Sequence, residues 1–298
     1  MENLRRMLEA SDIPTEPNLS LSRHSTFRIG GIARLACFPA DRNSLITCLR
    51  LARAAAVTPV VIGNASNVVF PDEGLDVPVI FTERCRSFRL EGQTLHADAG
   101  ATLASLAVAA RDASLGGLEF AAGIPGSLGG AVLMNAGAYG GCMAEICVAS
   151  DYYDIEQDRV GSFRGAEQAF SNRSSIYEQN PRYTVLGATL TLRRAPREEI
   201  ERGMRELARR RRESQPLDLP SAGSVFKRPQ GYFAGKLIED CGLKGTRIGG
   251  AEVSVKHAGF IVNRGDATAA DVRALVARIR DRVYAETGVT LECEIRFL

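Results

Sequence analysis

Residues 116–141 read GGLEFAAGIPGSLGGAVLMNAGAYGG and hold nine of the chain's 29 glycines. Glycine loses more conformational entropy on folding than any other residue, so this density is a costly way to build an ordinary helix or strand. The residues between the glycines are small and apolar, which argues against a solvated linker. A buried loop, closely approached by other backbone, fits better. Just upstream, 102–114 has helical spacing with an alanine-rich face suited to packing on something flat. Further out, 44–56 carries Leu45, Leu49 and Ala52 on one helical face. The run 57–62, which contains Pro59, reads as a short strand. It ends in Gly63-Asn64-Ala65-Ser66-Asn67, a cluster of turn formers, followed by a short strand at 68–70 and a Pro71-Asp72-Glu73-Gly74 turn.

Downstream the character changes. Residues 193–215 carry nine arginines against five glutamates, the pattern of a solvated helix crossing between domains, and the boundary is placed near Arg194-Ala195-Pro196. Residues 268–287 read as a helix, with Thr268 as its N-cap and Asp271 three residues on. Val272, Leu275, Val276, Ile279 and Val283 form its apolar stripe, and Gly288 stops it. Leu291, Cys293, Ile295 and Phe297 then alternate with Glu292, Glu294 and Arg296, which predicts a strand with one polar face.

Composition limits the function. A chain of 298 residues with 45% hydrophobic and 24% charged residues is globular, of one large or two ordinary domains. The net charge of +2 gives no general basic field for nucleic acid or a membrane surface. No apolar run approaches the roughly 18 residues of a membrane span. The opening MENLRRMLEA lacks the apolar core of a signal peptide, so a cytoplasmic location is expected. Seven cysteines without C-x-x-C spacing and three histidines without an H-x-x-x-H pair predict free thiols and no metal site.

The chemistry has two candidate centres. There is no G-x-G anywhere, so the dinucleotide fingerprint of the Rossmann fold is missing. The nearest approach to a phosphate loop, Gly231-Tyr232-Phe233-Ala234-Gly235-Lys236, is one spacer short and reads as a helix start. The loops at 63–67 and 123–130 instead suit a nest of main-chain N–H groups around an anion such as a pyrophosphate, with tight packing turns as the equal alternative. In the second half, SAGSVFKRP (221–229) sets Ser224 beside Lys227 and Arg228. Glu294 lies on the polar face of the last strand, and Arg173 lies in Asn172-Arg173-Ser174-Ser175. A serine could protonate a carbanion while a Glu–Arg pair holds a carboxylate; turn serines and surface ion pairs are the plainer reading of each residue alone.

Taken together, LSRHSTFRIGG (21–31), IGNASNVVF (62–70), GLEFAAGIPGSLGGAVLMNAGAYG (117–140), SAGSVFKRP (221–229), GLKGTRIGGAEVSVKHAGFIVN (242–263) and LECEIRF (291–297) resemble the UDP-N-acetylenolpyruvoylglucosamine reductase family. The resemblance implies an α+β protein. An FAD-binding domain of the vanillyl-alcohol oxidase / PCMH type, two α+β subdomains meeting near residue 80, would occupy 1–195. A smaller α+β substrate-binding domain would follow over 196–298. It implies non-covalent FAD, NADPH as hydride donor and UDP-N-acetylglucosamine enolpyruvate as substrate, in peptidoglycan precursor synthesis. Neither nucleic acid nor membrane is an expected partner, and a monomer is expected.

By the same resemblance Gly63, Asn64, Ala65, Ser66 and Asn67 would lie on the FAD pyrophosphate, and Gly123, Ile124, Gly126, Ser127, Gly130, Asn135 and Gly137 along the flavin side. Ser224 matches the proton donor, and Arg173 and Glu294 match the groups that polarise the enolpyruvyl carboxylate. Lys227, Arg228 and His257 fall on the substrate side, Lys227 assisting the serine and Arg228 meeting the phosphates. Departures from the family pattern are Asn64 and Ala65 for glycines, Asn172 for a tyrosine, and K-R-P for K-N-P. Asn64 tolerates a positive φ, whereas Ala65 is expected in an unstrained conformation. The length resembles the shorter form of the enzyme, without the capping tyrosine loop. Another flavoenzyme of the same fold, or a flavin-binding protein without activity, are the competing readings.

Overall fold

Asp41 opens the helix Arg42–Ala54: its carboxylate accepts the Ser44 N–H, and the Ser44 hydroxyl accepts the Asp41 N–H in return. The helix therefore starts two residues before the apolar spacing suggests. It buries Leu45, Cys48, Leu49 and Ala52, and the first three join Leu4 and Leu8 of the helix Glu2–Glu9 in one apolar cluster. The computed structural model describes residues 1–298 and divides into two units. Unit 1 comprises Met1–Asn18, Arg34–Asn64 and Asp76–Arg210, and unit 2 comprises Leu19–Ala33, Ala65–Leu75 and Arg211–Leu298.

Unit 1 holds two sheets. The first runs Thr15–Ser20, Ile32–Cys37, Leu75–Phe81, Val60–Ile62 in spatial order, the last two strands parallel. The second is antiparallel throughout, in the order Arg159–Arg164, Cys147–Asp154, Tyr183–Thr191, Thr94–Asp98, Phe88–Glu91. Its core includes Leu103, Leu106, Ala107 and Ala110 of the helix Leu103–Asp112, which Thr102 caps through the Ser105 N–H. Within the glycine-rich stretch a short helix, Leu128–Leu133, buries Leu128, Ala131 and Val132, an element that the reading as a loop misses.

Unit 2 is built on an antiparallel sheet ordered Ser221–Ser224, Phe260–Asn263, Ala251–Val253, Arg247–Ile248. The helix Ala269–Thr287 shares its core through the expected stripe Val272, Leu275, Val276, Ile279 and Val283. Thr268 and Asp271 form a reciprocal cap, and Gly288 ends the helix at φ 70°. The near-miss phosphate loop is a helix start, Phe233 preceding Ala234–Asp240.

The C-terminal segment differs from the expected strand over 291–297, since only Arg296–Phe297 forms one, parallel to Val68–Val69. The reason is local: the N–H groups of Glu294 and Ile295 both point at Val225 O (2.8 and 3.4 Å), which interrupts an alternating ladder. The division into units also departs from a boundary near 195. The arginine-rich helix Arg197–Ser214 stays with unit 1 through Arg210, while Phe27, Ile29 and Val69, from far upstream, are buried in the apolar cluster of unit 2. Ile200 is the buried residue of that helix, and Glu201–Arg205 and Glu206–Arg210 pairs (2.9 and 2.7 Å) lie along its exposed surface. No helix is long and apolar enough to cross a membrane.

Candidate active site

The candidate residues gather in two groups, one within each unit. In unit 1 the strand Val60–Ile62 delivers Gly63 against Ser127, so closely that a Cβ on Gly63 would stand 2.1 Å from Ser127 Oγ. Ser127 is 2% exposed, and its hydroxyl has no hydrogen-bond partner. The loop around it is laced to 99–103: Leu103 N donates to Gly126 O (3.1 Å), Leu128 N to Ala101 O (2.8 Å) and Gly129 N to Ala99 O (2.8 Å). Asn64 Nδ2 reaches Pro125 O at 3.5 Å. Ile124 packs against the main core and donates its N–H to Ala121 O (3.0 Å), closing the turn that contains Gly123. Beyond Gly130 the short helix leads to Asn135.

Asn135 is buried and its side-chain amide is used at both ends. Nδ2 donates to Ser171 O (2.9 Å), and Oδ1 accepts the Ala144 N–H (2.9 Å). It thereby holds the 171–174 turn, which closes through Ser171 N to Ser174 O (3.0 Å) and Ser174 N to Ser171 O (3.3 Å). Arg173 sits in this turn at φ 56°, a left-handed conformation uncommon outside glycine, and its Nη2 donates to Gly137 O (3.0 Å). Asn135, Gly137 and Arg173, assigned from sequence to two different ligands, thus form one connected structure.

In unit 2 the chain continues from Asn64 into Ala65, whose φ is 45°: the expectation of an unstrained Ala65 is overturned, and the left-handed residue is the alanine and not Asn64. Next to it, Thr26 Oγ1 donates to Ser221 O (2.9 Å), with Ala65 O a longer 3.4 Å away. Thr26 was not singled out in the sequence, although it stands inside the LSRHSTFRIGG motif. Ser66 lies near the bulge at Gly223 (φ 81°), where a Cβ would be 4.0 Å from Ser66 O. Asn67 Nδ2 donates to Glu294 O (3.0 Å).

Ser224 ends the strand Ser221–Ser224 with its side chain exposed. The following residues run antiparallel to 292–294: Phe226 pairs with Cys293, Glu294 N donates to Val225 O (2.8 Å), and Lys227 N donates to Glu292 O (2.8 Å). Ser224 and Glu294 are thereby held on adjoining segments. The Lys227 ammonium lies 3.5 Å from Glu292 Oε2, so its ion pair is with that carboxylate. The Arg228 guanidinium stands 4.0 Å from the ring centre of Phe233, an exposed aromatic. His257 is a packed histidine. Its Nδ1 accepts the Gly259 N–H (3.0 Å), its ring meets Phe260 edge-on at 5.0 Å, and burial pushes its pKa below the ordinary value. The cysteines are free, and burial pushes the thiols of Cys37, Cys85 and Cys147 up to about 12. No group of three His, Cys, Asp or Glu side chains is placed to hold a metal ion.

Residues 33–154 match the FAD binding domain family, and residues 215–298 match the C-terminal domain of UDP-N-acetylenolpyruvoylglucosamine reductase. The enzyme of that name from Caldicellulosiruptor bescii is 47% identical over 280 residues, 93% of this chain and 88% of that one. The chain belongs to the UDP-N-acetylenolpyruvoylglucosamine reductase family. The Lactobacillus delbrueckii member is 41% identical over 98% of this chain and 97% of its own. The crystal structure of the Thermus caldophilus reductase superimposes with a TM-score of 0.80 at 36% identity, covering 96% of this chain and 98% of that one. A glucose dehydrogenase, Phl p 4.0202, shares the fold over 65% of this chain and 44% of its own, with a TM-score of 0.51 and 16% identity.

Membership in the reductase family makes the chain a flavin-dependent oxidoreductase with FAD as cofactor. The residues present fit that group. A buried hydroxyl left unpaired costs about 1–3 kcal/mol. A polar group of the cofactor would supply the partner that Ser127 Oγ lacks, and the missing Cβ at Gly63 keeps the space before that hydroxyl open.

Proposed function

We propose that this chain reduces UDP-N-acetylglucosamine enolpyruvate to UDP-N-acetylmuramate, with NADPH as reductant, in peptidoglycan precursor synthesis. The observation that carries the reading is the pairing of 225–227 with 292–294, which sets a hydroxyl and a carboxyl on adjoining segments inside the family's own motifs. Bound FAD supplies hydride transfer from NADPH to the substrate. When the terminal methylene carbon of the enolpyruvyl group gains a hydride, negative charge develops on the neighbouring carbon and its carboxylate. Arg173 and a protonated Glu294 would bind that carboxylate and stabilise the charge. Ser224 would then deliver its proton to the carbon beside the carboxylate. A hydroxyl is a poor acid in water, and the strong basicity of the enediolate makes the transfer feasible. The loops at 63–67 and 123–130, with Asn135 and Gly137, would hold the cofactor. Lys227, Arg228 and His257 would line the substrate side, Arg228 toward the diphosphate.

The test separates the two half-reactions. NADPH added anaerobically to the holoenzyme bleaches the flavin absorbance, and the enolpyruvyl substrate restores it. Ser224→Ala is expected to bleach at the wild-type rate and to be reoxidised about 100-fold to 10,000-fold more slowly. Rapid reoxidation of that variant removes Ser224 from the proton-donor role. Glu294→Gln, which keeps a hydrogen-bond donor, is expected to lose less than Glu294→Ala. Bleaching without restoration by the wild-type protein points to a different acceptor and favours another flavoenzyme of this fold. A monomer is part of this reading, and the free thiols support a cytoplasmic location.

A further inference from the structure

We infer that Asn67 is a positioning residue for Glu294, so that the last residue of the first glycine-type loop orients the carboxyl that polarises the substrate. This rests on the reading of Glu294 given above. Asn67 Nδ2 donates to Glu294 O at 3.0 Å, and Asn67 O accepts the Arg296 N–H at 2.9 Å. The two residues that follow, Val68–Val69, pair in parallel with Arg296–Phe297. From the other side Glu294 N donates to Val225 O at 2.8 Å. Both peptide groups flanking the Glu294 Cα are therefore tied down, one to Val225, the residue after Ser224, and one to Asn67.

A side chain can be aimed no better than the Cα that carries it. The ladder alone does not supply this restraint, because the regular strand begins only at Arg296. The Glu294 and Ile295 N–H groups share Val225 O, leaving an irregular step at the residue whose direction matters. The Asn67 amide bridges that step. A turn residue needed only for its own loop would bond locally; Asn67 bonds to a carbonyl 227 positions along the chain. Asparagine is suited to this because its NH₂ donates, whereas the isosteric aspartate would present a second acceptor to the carbonyl.

The test uses the holoenzyme with Asn67→Asp, Asn67→Ala, Glu294→Gln and the double variant Asn67→Ala/Glu294→Gln, followed anaerobically in both half-reactions. Asn67 also belongs to the loop assigned to the cofactor, so Asn67→Asp and Asn67→Ala are compared with wild type at saturating FAD, where reduction by NADPH is expected to slow less than reoxidation. Reoxidation by the enolpyruvyl substrate is expected to slow by about tenfold to 100-fold, the cost of misplacing a reacting group by a fraction of an ångström to an ångström. In the Glu294→Gln background Asn67→Ala is expected to add less than half of its single-variant effect on a logarithmic scale, because the residue acts through Glu294. Equal slowing of both half-reactions at saturating FAD overturns the inference and leaves Asn67 a cofactor ligand alone. Full additivity in the double variant, or wild-type reoxidation of both single Asn67 variants, also overturns it. Wild-type reoxidation of Glu294→Gln instead removes the reading of Glu294 itself. Should Asn67→Ala fail to fold, Asn67→Asp paired with Glu294→Gln carries the same comparison.

Discussion

Ala65 holds a backbone angle, φ 45°, that disfavours any residue with a Cβ, and it does so with 4% of its surface exposed. A left-handed conformation costs an L-residue about 1–2 kcal/mol, whereas glycine adopts it freely but loses more chain entropy and, here, a buried methyl. The opposing effects leave Ala65→Gly between unchanged and about 1 kcal/mol more stable, with FAD retained. Urea unfolding and flavin titration check this, and marked loss of flavin would mean that the methyl packs against the cofactor. The pentapeptide alone points to Asn64 as the left-handed residue, whereas in the folded chain it is Ala65. His257 is the other residue whose surroundings decide its behaviour. Burial, with the Lys244 charge acting in the same direction, lowers its pKa below 6.5, while Glu239 opposes. The unfolded chain then binds the proton more readily than the folded one. The stability due to keeping His257 neutral is complete above the ordinary value and is lost as pH falls through the lowered one. His257→Gln is expected to flatten the decline in unfolding free energy between about pH 7 and 5; an unchanged slope would assign the decline to other groups.

Among the elements, the helix Ala269–Thr287 is the most legible, because its start, stripe and stop are all local chemistry: Thr268 with Asp271, five apolar residues at helical spacing, and Gly288. Thr268→Ala removes the bond from the Asp271 N–H (3.0 Å) and is expected to cost about 1 kcal/mol in urea unfolding. A loss below a few tenths of a kcal/mol would mean that the other cap suffices. That other cap is Asp72, whose two oxygens accept the Ala269 and Ala270 N–H groups (2.7 and 3.0 Å) from nearly 200 positions away, where no local pattern announces it. The remaining elements show where periodicity misleads. Leu128, Ala131 and Val132 have helical spacing, yet two glycines in a six-residue helix hide it. The alternation over 291–297 is genuine in the sequence, but its strand shrinks to Arg296–Phe297 because hydrogen bonding to Val225 interrupts the ladder. The site follows the same division. Ser224, Arg173 and Glu294 are legible through their motifs, whereas the links from Asn135 to the Arg173 turn and from Asn67 to Glu294 depend on tertiary hydrogen bonds.

At the scale of the whole molecule, chain order and structural units part company. The matched C-terminal domain begins at residue 215, which suggests a separable piece. Unit 2, however, also needs Leu19–Ala33 and Ala65–Leu75. Phe27, Ile29 and Val69 from those segments are at most 2% exposed within its core, Val68–Val69 pairs with the last strand, and Asp72 caps its long helix. Burying three such side chains contributes about 1.5–3 kcal/mol each. That sum is comparable with the roughly 5–15 kcal/mol by which a whole domain is stable. A fragment of residues 211–298 is therefore expected to lack a cooperative thermal transition and to bind a dye for exposed apolar surface, whereas the intact chain melts cooperatively. Joining 19–33 and 65–75 to the fragment through flexible linkers is expected to restore the transition. A sharp melt of 211–298 alone would show that its own helices and sheet suffice, and that the two upstream segments dock on a core already formed.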